Sequence, residues 1–175
     1  MVRIPPIETA RLLIRELTER DAPAVAGLAG LSDRWVRWTA LAYEQLAELR
    51  QPPYGERAVV LRSSGQLVGL VGLVPSLGPF ALLPSWPGRS TRYTPEVGLF
   101  YMVAEEHRRQ GIAAEAAAAL ARHALDDLRL ARVVATTERT NHASMGVMRR
   151  LGMRIEENPE PEPAWFQVVG LLTAE

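Results

Sequence analysis

The stretch EVGLFYMVAEEHRRQGIAAEAAAALARHAL, Glu96 to Leu125, constrains this chain more than any other. Its first nine residues carry the branched and aromatic side chains of a strand. Further on, Ala113, Ala116, Ala117, Leu120 and Ala124 recur at helical spacing on one face, opposite Glu115, Arg122 and Asp126. A strand that turns straight into a helix leaves unpaired N–H groups at the corner, and the helix dipole adds partial positive charge. Gly111 removes the side chain that would block approach, Ala113 keeps the next turn small, and Arg108 and Arg109 supply cationic donors. The corner suits an anion, and a row of donors suits a pyrophosphate. At about 1.5 to 3 kcal/mol for each charge-assisted bond, about four or five such amides account for micromolar binding after the cost of association.

Around this centre the chain alternates strands and helices. Arg11 to Leu17 reads as a strand, Thr18 and Asp21 as a capping box opening a helix from Ala22 to Leu31, and Tyr43 to Arg50 as a second short helix stopped by Pro52 and Pro53. Arg57 to Arg62 and Gln66 to Val74 form two strands around a turn at Gly65. The segment from Pro75 to Pro95 reads as a long irregular loop. Beyond the alanine helix come a strand (Arg132 to Thr137), a helix from NHASMGVMRRLGM ended by Gly152, a strand near Met153 to Glu157, a Pro/Glu turn and a last strand, WFQVVGLL. The predicted order is β-α-α-β-β-β-α-β-α-β-β, a mixed sheet covered by helices, in a single domain over residues 1–175.

Composition narrows the chemistry. Without cysteine there are no disulfides, thiolate nucleophiles or cysteine-bound metals, and the chain fits a reducing compartment. Lysine is also missing, which removes Schiff-base chemistry and lysine-dependent phosphate loops. A net charge of +0 provides no field for nucleic acid or anionic membrane. No apolar run approaches the ~20 residues of a bilayer span, and MVRIPPIETA has no leader-like pattern, so the expected location is the cytoplasm. His107, His123 and His142 are not at metal-ligand spacing, so no metal is expected.

A second strand-helix unit repeats the corner theme. Asn141 follows the strand RVVATTERT and begins NHAS, which ends at Ser144. The segment reads either as an ordinary helix cap or as a ligand-facing pair of polar side chains. Together, EVGLFYMVAEEHRRQGIAAEA and TNHASMGVMRRLGM resemble the GCN5-related N-acetyltransferases (GNAT), in particular the RimJ/RimL-type group that acetylates ribosomal-protein amino termini, and RLLIREL resembles that group's first strand. The resemblance implies the GNAT fold: a mixed, mostly antiparallel sheet of six to seven strands with a splayed central pair, flanked by about four helices. It implies acetyl-CoA as cosubstrate and an amine acceptor, with direct transfer in a ternary complex. Carried over by position, Tyr101, Met102 and Val103 match the strand that pairs with the pantetheine arm. Arg108, Arg109, Gln110, Gly111, Ile112 and Ala113 match the pyrophosphate cradle, Asn141 a side chain near the sulfur end, and Ser144 a hydroxyl near the departing thiolate.

Acetyl transfer to an amine needs a neutral amine, a polarised carbonyl and a proton for sulfur. Glu96, at the start of the central strand, is the candidate base through a water; its other reading is a solvated strand-end carboxylate. The tyrosine that many relatives place on the last helix is Met148 here, and the glutamate others carry on the preceding strand is Thr136, so Ser144 or solvent must protonate the thiolate. Neutralising a lysine-type amine at pH 7 costs about 4.6 kcal/mol, whereas an α-amine costs about 1.4 kcal/mol. A weak base therefore points to an α-amine or another low-pKa amine. Trp35 and Trp38 are expected to grip the acceptor, with Phe80 and Trp86 as the opposite wall; core packing is the other reading of these aromatics. The competing functions are a non-catalytic acyl-CoA sensor and an interaction protein using the aromatic loops. Monomer and homodimer both remain open, since WFQVVGLL suits pairing between subunits.

Overall fold

The structure, a computed structural model, describes residues 3–86, 88 and 90–174. Among the described residues, eight strands and four helices make a mixed α/β fold in the order β-β-α-α-β-β-β-α-β-α-β-β. The chain divides into two compact units, residues 1–74 with 100–120 and residues 75–99 with 121–175.

In the first unit the strands run β1 (Ile7–Glu8), β2 (Leu12–Glu16), β3 (Gly55–Leu61), the first part of β4 (Leu67–Gly78) and the last residues of β5 (Thr94–Val103). The pairs β1–β2, β2–β3 and β3–β4 are antiparallel. β1 raises the count to eight from the six or seven expected, because two residues are too few to show a period of two. Where β4 meets β5, the Ala104 amide donates to the Val68 carbonyl at 2.9 Å. A Cβ on Gly69 would collide with the Met102 carbonyl and reach Val103 Cα at 3.3 Å. The glycine-bearing GLVGLV segment is thus a buried strand, and Gly69 is what lets the two backbones close up.

Above this sheet, α1 (Ala22–Ala29) ends in a left-handed Gly30 whose amide donates to the Ala26 carbonyl. The second helix, α2, runs Asp33–Glu48, far longer than the predicted Tyr43 to Arg50. Ser32 caps it by accepting from the Trp35 amide, and Val36, Thr39, Tyr43 and Ala47 bury one face. Tertiary burial overrides the modest helix propensity of its Trp, Val and Thr residues. Leu17, Val25, Val36, Tyr43, Ala58, Val60 and Leu70 form the core. The Tyr43 hydroxyl donates to the Glu56 carbonyl and accepts from the Leu17 amide, and burial pushes it up to about 12. The Thr18–Asp21 capping box is present and opens a single 3-10 turn ahead of α1.

In the second unit the strand order is β5, β6 (Arg132–Thr137), β8 (Val168–Thr173), β7 (Arg154–Glu157). β5 meets β6 in parallel, Gly98 opposite Val134, while β8 is antiparallel to both β6 and β7. The irregular segment is shorter than expected: β4 continues to Gly78 and β5 already begins at Thr94, with a 3-10 turn over Phe80–Leu82 between them. Trp165 and Phe166, predicted to open the last strand, form a 3-10 turn before β8. Phe80, Trp86, Val134, Phe166, Val169 and Leu171 belong to this unit's core. The fourth helix, α4 (His142–Arg150), buries Met145 and Met148.

Candidate functional site

In the first unit, β5 ends at Val103, a 3-10 turn covers Glu105–His107, and α3 (Ile112–Arg122) begins one residue past Gly111. The intervening loop is held open by two left-handed residues, Arg109 at φ 61° and Gly111 at φ 80°. Glycine adopts that conformation freely; arginine does so at a cost of about 1 to 2 kcal/mol. Among the described residues, none accepts a hydrogen bond from the amides of Arg109, Gln110, Gly111, Ile112 or Ala113. Arg108, Arg109 and Gln110 are exposed. Arg108 Nε donates weakly to the Val103 carbonyl at 3.4 Å, Gln110 Nε2 donates to the Glu106 carbonyl at 3.1 Å, and the Arg109 guanidinium meets no acceptor among the described residues. A row of donors without acceptors among the described residues, beside two exposed cations, is what a diphosphate requires, so the residues present fit the anionic part of a coenzyme. Tyr101, Met102 and Val103 lead along the backbone directly into this corner.

The other side of the corner is braced. Glu115, expected on an open helix face, accepts from Thr9 Oγ1 at 2.6 Å and from Arg11 Nε at 2.7 Å. Burial pushes the Glu115 carboxyl up, but the hydrogen bonds from Thr9 and Arg11 outweigh it and hold it below its ordinary value. These partners are 104 and 106 residues away in sequence, and no local pattern announces them.

In the second unit, Asn141 is the N-cap of α4: its Oδ1 accepts from the Ser144 amide at 3.0 Å. The cap reading of NHAS is therefore correct, yet it uses only the oxygen. Among the described residues, Asn141 Nδ2 has no acceptor, which leaves a side-chain donor for a ligand. Ser144 lies half-buried in the same first turn. Met148 is fully buried, and Thr136 is half-buried opposite Val169.

Glu96 is not a solvated carboxylate. Arg132 grips it fork to fork, and Trp86 lies under the guanidinium, 4.4 Å from ring centre to Arg132 Cζ. The hydrogen bond from Arg132 to Glu96 raises the arginine's affinity for its proton, against a smaller opposing effect of burial. Phe80 and Trp86 do not form an acceptor wall. Phe80 is 0% exposed, stacked on Trp86 at 5.2 Å and edge-on to Phe166 at 5.0 Å. Their apolar area is worth more inside the core than against a polar acceptor, so the packing reading holds. Trp35 is partly buried against the core of the first unit, and Trp38 is 65% exposed on α2. His123 pairs with Asp127 at 2.6 Å on the π-turn that follows α3.

A strand running into an amide-rich corner and an alanine-lined helix, followed by β6 and α4, is the part of the chain covered by a match to an acyltransferase family. Residues 11–154 match the acetyltransferase (GNAT) domain model, and the chain belongs to that family. A search of curated protein sequences finds no match. Among solved structures, the chain is similar to an acetyltransferase from Agrobacterium tumefaciens, with 22% identity, 98% of this chain and 96% of that one covered, and a TM-score of 0.69. It is also similar to a ribosomal-protein-S5-alanine acetyltransferase from Vibrio fischeri, at 15% identity, 98% coverage of each chain and a TM-score of 0.68. A third is RimL, a ribosomal L7/L12 α-N-protein acetyltransferase in complex with coenzyme A, at 16% identity, 97% and 98% coverage and a TM-score of 0.67. At these identities the likeness shows a common fold. Among the described residues, no helix is long and apolar enough to cross a membrane.

Proposed function

We propose that residues 1–175 act as one acetyl-CoA-dependent N-acetyltransferase domain whose acceptor is a primary amine, the α-amino group of a protein, peptide or small molecule. The observation that carries this reading is the row of amides from Arg109 to Ala113, without acceptors among the described residues, beside Arg108 and Arg109. The family match across residues 11–154 supports it, as does the coenzyme A bound by RimL. Both ribosomal-protein acetyltransferases named above acetylate proteins, which favours the RimJ/RimL-type group and a cytoplasmic setting. Monomer and homodimer are both compatible with this assignment.

When bound, the coenzyme supplies an acetyl thioester. The corner amides and the two arginines would hold its diphosphate, the backbone of Tyr101 to Val103 would pair with the pantetheine arm, and Asn141, whose Oδ1 is taken by the Ser144 amide, would offer Nδ2 near the sulfur end, as the family resemblance implies. Transfer is direct: the nitrogen–carbon bond forms as the carbon–sulfur bond breaks, a proton leaves nitrogen, and one reaches sulfur from the Ser144 hydroxyl or solvent. Glu96 takes the amine proton through a water. Since Arg132 occupies one lone pair on each Glu96 oxygen, an arriving proton must use the remaining ones or loosen the pair. Such a restrained base suits an amine that is cheap to neutralise: about 1.4 kcal/mol for an α-amine at pH 7, against about 4.6 kcal/mol for a lysine side chain.

Calorimetry with acetyl-CoA, followed by thiol release across an amine panel, tests the reading. Micromolar binding is expected, with release driven by peptides that carry a free α-amine and no lysine. Release confined to lysine-type amines overturns the acceptor class, and absence of binding overturns the assignment.

A further inference from the structure

Glu115 is an unfavourable neighbour for a diphosphate: it places a carboxylate in the first turn of the helix whose N-terminus faces the anion. Left alone it would repel the ligand. The turn between β1 and β2 prevents this. Arg11 donates from Nε to Glu115 Oε2 at 2.7 Å, brings NH2 within 2.6 Å of the same oxygen, and donates its own amide to Oε1 at 3.1 Å. Thr9 Oγ1, itself held by the Leu12 amide at 2.9 Å, donates to Oε1 at 2.6 Å.

Arg11 has one nitrogen left, and its use is informative. NH1 donates to the Gln110 carbonyl at 2.9 Å. In a trans peptide the carbonyl and the following N–H point in opposite directions. Drawing the Gln110 carbonyl toward the β1–β2 turn therefore turns the Gly111 amide away from that turn, and among the described residues this amide has no acceptor. One guanidinium thus both cancels the Glu115 charge and aims the central donor of the corner.

We propose that Arg11, braced by Glu115 and Thr9, is a positioning residue that sets the affinity of the corner for the coenzyme's diphosphate. This deepens the function proposed above and rests on it. Arg11 touches neither coenzyme nor acceptor; it acts through the Gln110–Gly111 peptide.

The test compares Arg11→Gln, Arg11→Lys and Glu115→Gln with wild type, using acetyl-CoA and acetyl-pantetheine, which carries the thioester but no diphosphate. For both Arg11 variants KM for acetyl-CoA should rise about tenfold, equivalent to about 1.4 kcal/mol, and more than kcat falls, while KM for acetyl-pantetheine stays near the wild-type value. Glu115→Gln decides between positioning and simple electrostatics. If the carboxylate matters only as a negative charge, its loss should lower KM for acetyl-CoA; if it braces Arg11, KM should rise. Arg3→Gln, which breaks the more distant Arg3–Glu16 pair, is the control expected to leave both constants alone. Equal losses with the two thioesters, a fall in kcat alone, or a lower KM in Glu115→Gln overturns the proposal. Failure of wild type to use either thioester sinks the functional reading instead, so the two failures are distinguishable.

Discussion

Arg132 and Glu96 meet fork to fork, Nε to Oε2 at 2.9 Å and NH2 to Oε1 at 2.7 Å, with Trp86 stacked beneath the guanidinium. A freely placed general base contributes about 10²- to 10⁴-fold. A carboxylate held this way and working through water should sit at or below the bottom of that range. Glu96→Gln is therefore expected to lower turnover by about tenfold to a hundredfold, with larger losses for amines of higher pKa. Initial rates over an acceptor series at fixed pH measure this. An effect that is the same for every amine would remove Glu96 from proton transfer and leave it a partner of Arg132.

The two left-handed residues of the corner should respond in opposite ways. Gly111→Val forces a β-branched side chain into φ 80° and places bulk where the ligand approaches. It should cost about 1 to 3 kcal/mol of stability and raise KM for acetyl-CoA strongly. Arg109→Gly relieves a residue strained at φ 61° but adds freedom to the unfolded chain, so it should be neutral or stabilising by up to about 1 kcal/mol. The same change removes a cation and should still weaken coenzyme binding. Thermal melts with and without coenzyme separate the two effects.

Asp21 makes acid stability predictable. Its carboxylate accepts from both terminal nitrogens of the Arg15 guanidinium and from the Thr18 amide, each at 2.8 Å. Burial pushes the group up, but the bonds from Arg15 and Thr18 together hold it below its usual 3.8. A depressed folded value means that the stabilisation is fully present above the unfolded value and is lost as pH falls through the folded one. Asp21→Asn should therefore cost about 1 to 3 kcal/mol near neutral pH and flatten the decline in stability below about pH 4. Urea midpoints at several pH values check the slope.

Gly69→Ala should be severe despite its small size. The added methyl would meet the Met102 carbonyl and Val103 Cα, which are backbone atoms of β5 and cannot swing aside. Loss of several kcal/mol is expected, about that of overpacking a core position or more. Gly27→Ala, where nothing lies within 4 Å, is the contrasting case and should be neutral or slightly stabilising. Denaturant curves on both variants test the difference.

Local chemistry reads best where the chain talks to itself over a few residues. The β5-corner-α3 run, the Thr18–Asp21 box and the Asn141 cap were all legible, because hydrogen-bond geometry over three or four residues follows from residue type. Helix α2 was read at half its length, since its N-terminal part is helical through burial of Val36 and Thr39 rather than propensity. Phe80 and Trp86 are expected from the sequence as an acceptor wall, with core packing as the other reading, and the ring of Phe166, brought in from the far end of the chain, decides for the core.

The amino-acid sequence by itself determined the strand-corner-helix sequence around Gly111, the cationic donors beside it, the absence of thiol and lysine chemistry, and the family. Tertiary structure alone decided what becomes of the carboxylates: Glu96 is claimed by Arg132 and Glu115 by Arg11 and Thr9. The reason is that a side chain's charge is written in the sequence, whereas its partner is whichever group folding brings within hydrogen-bonding distance, and here those partners lie 36 and about a hundred residues away.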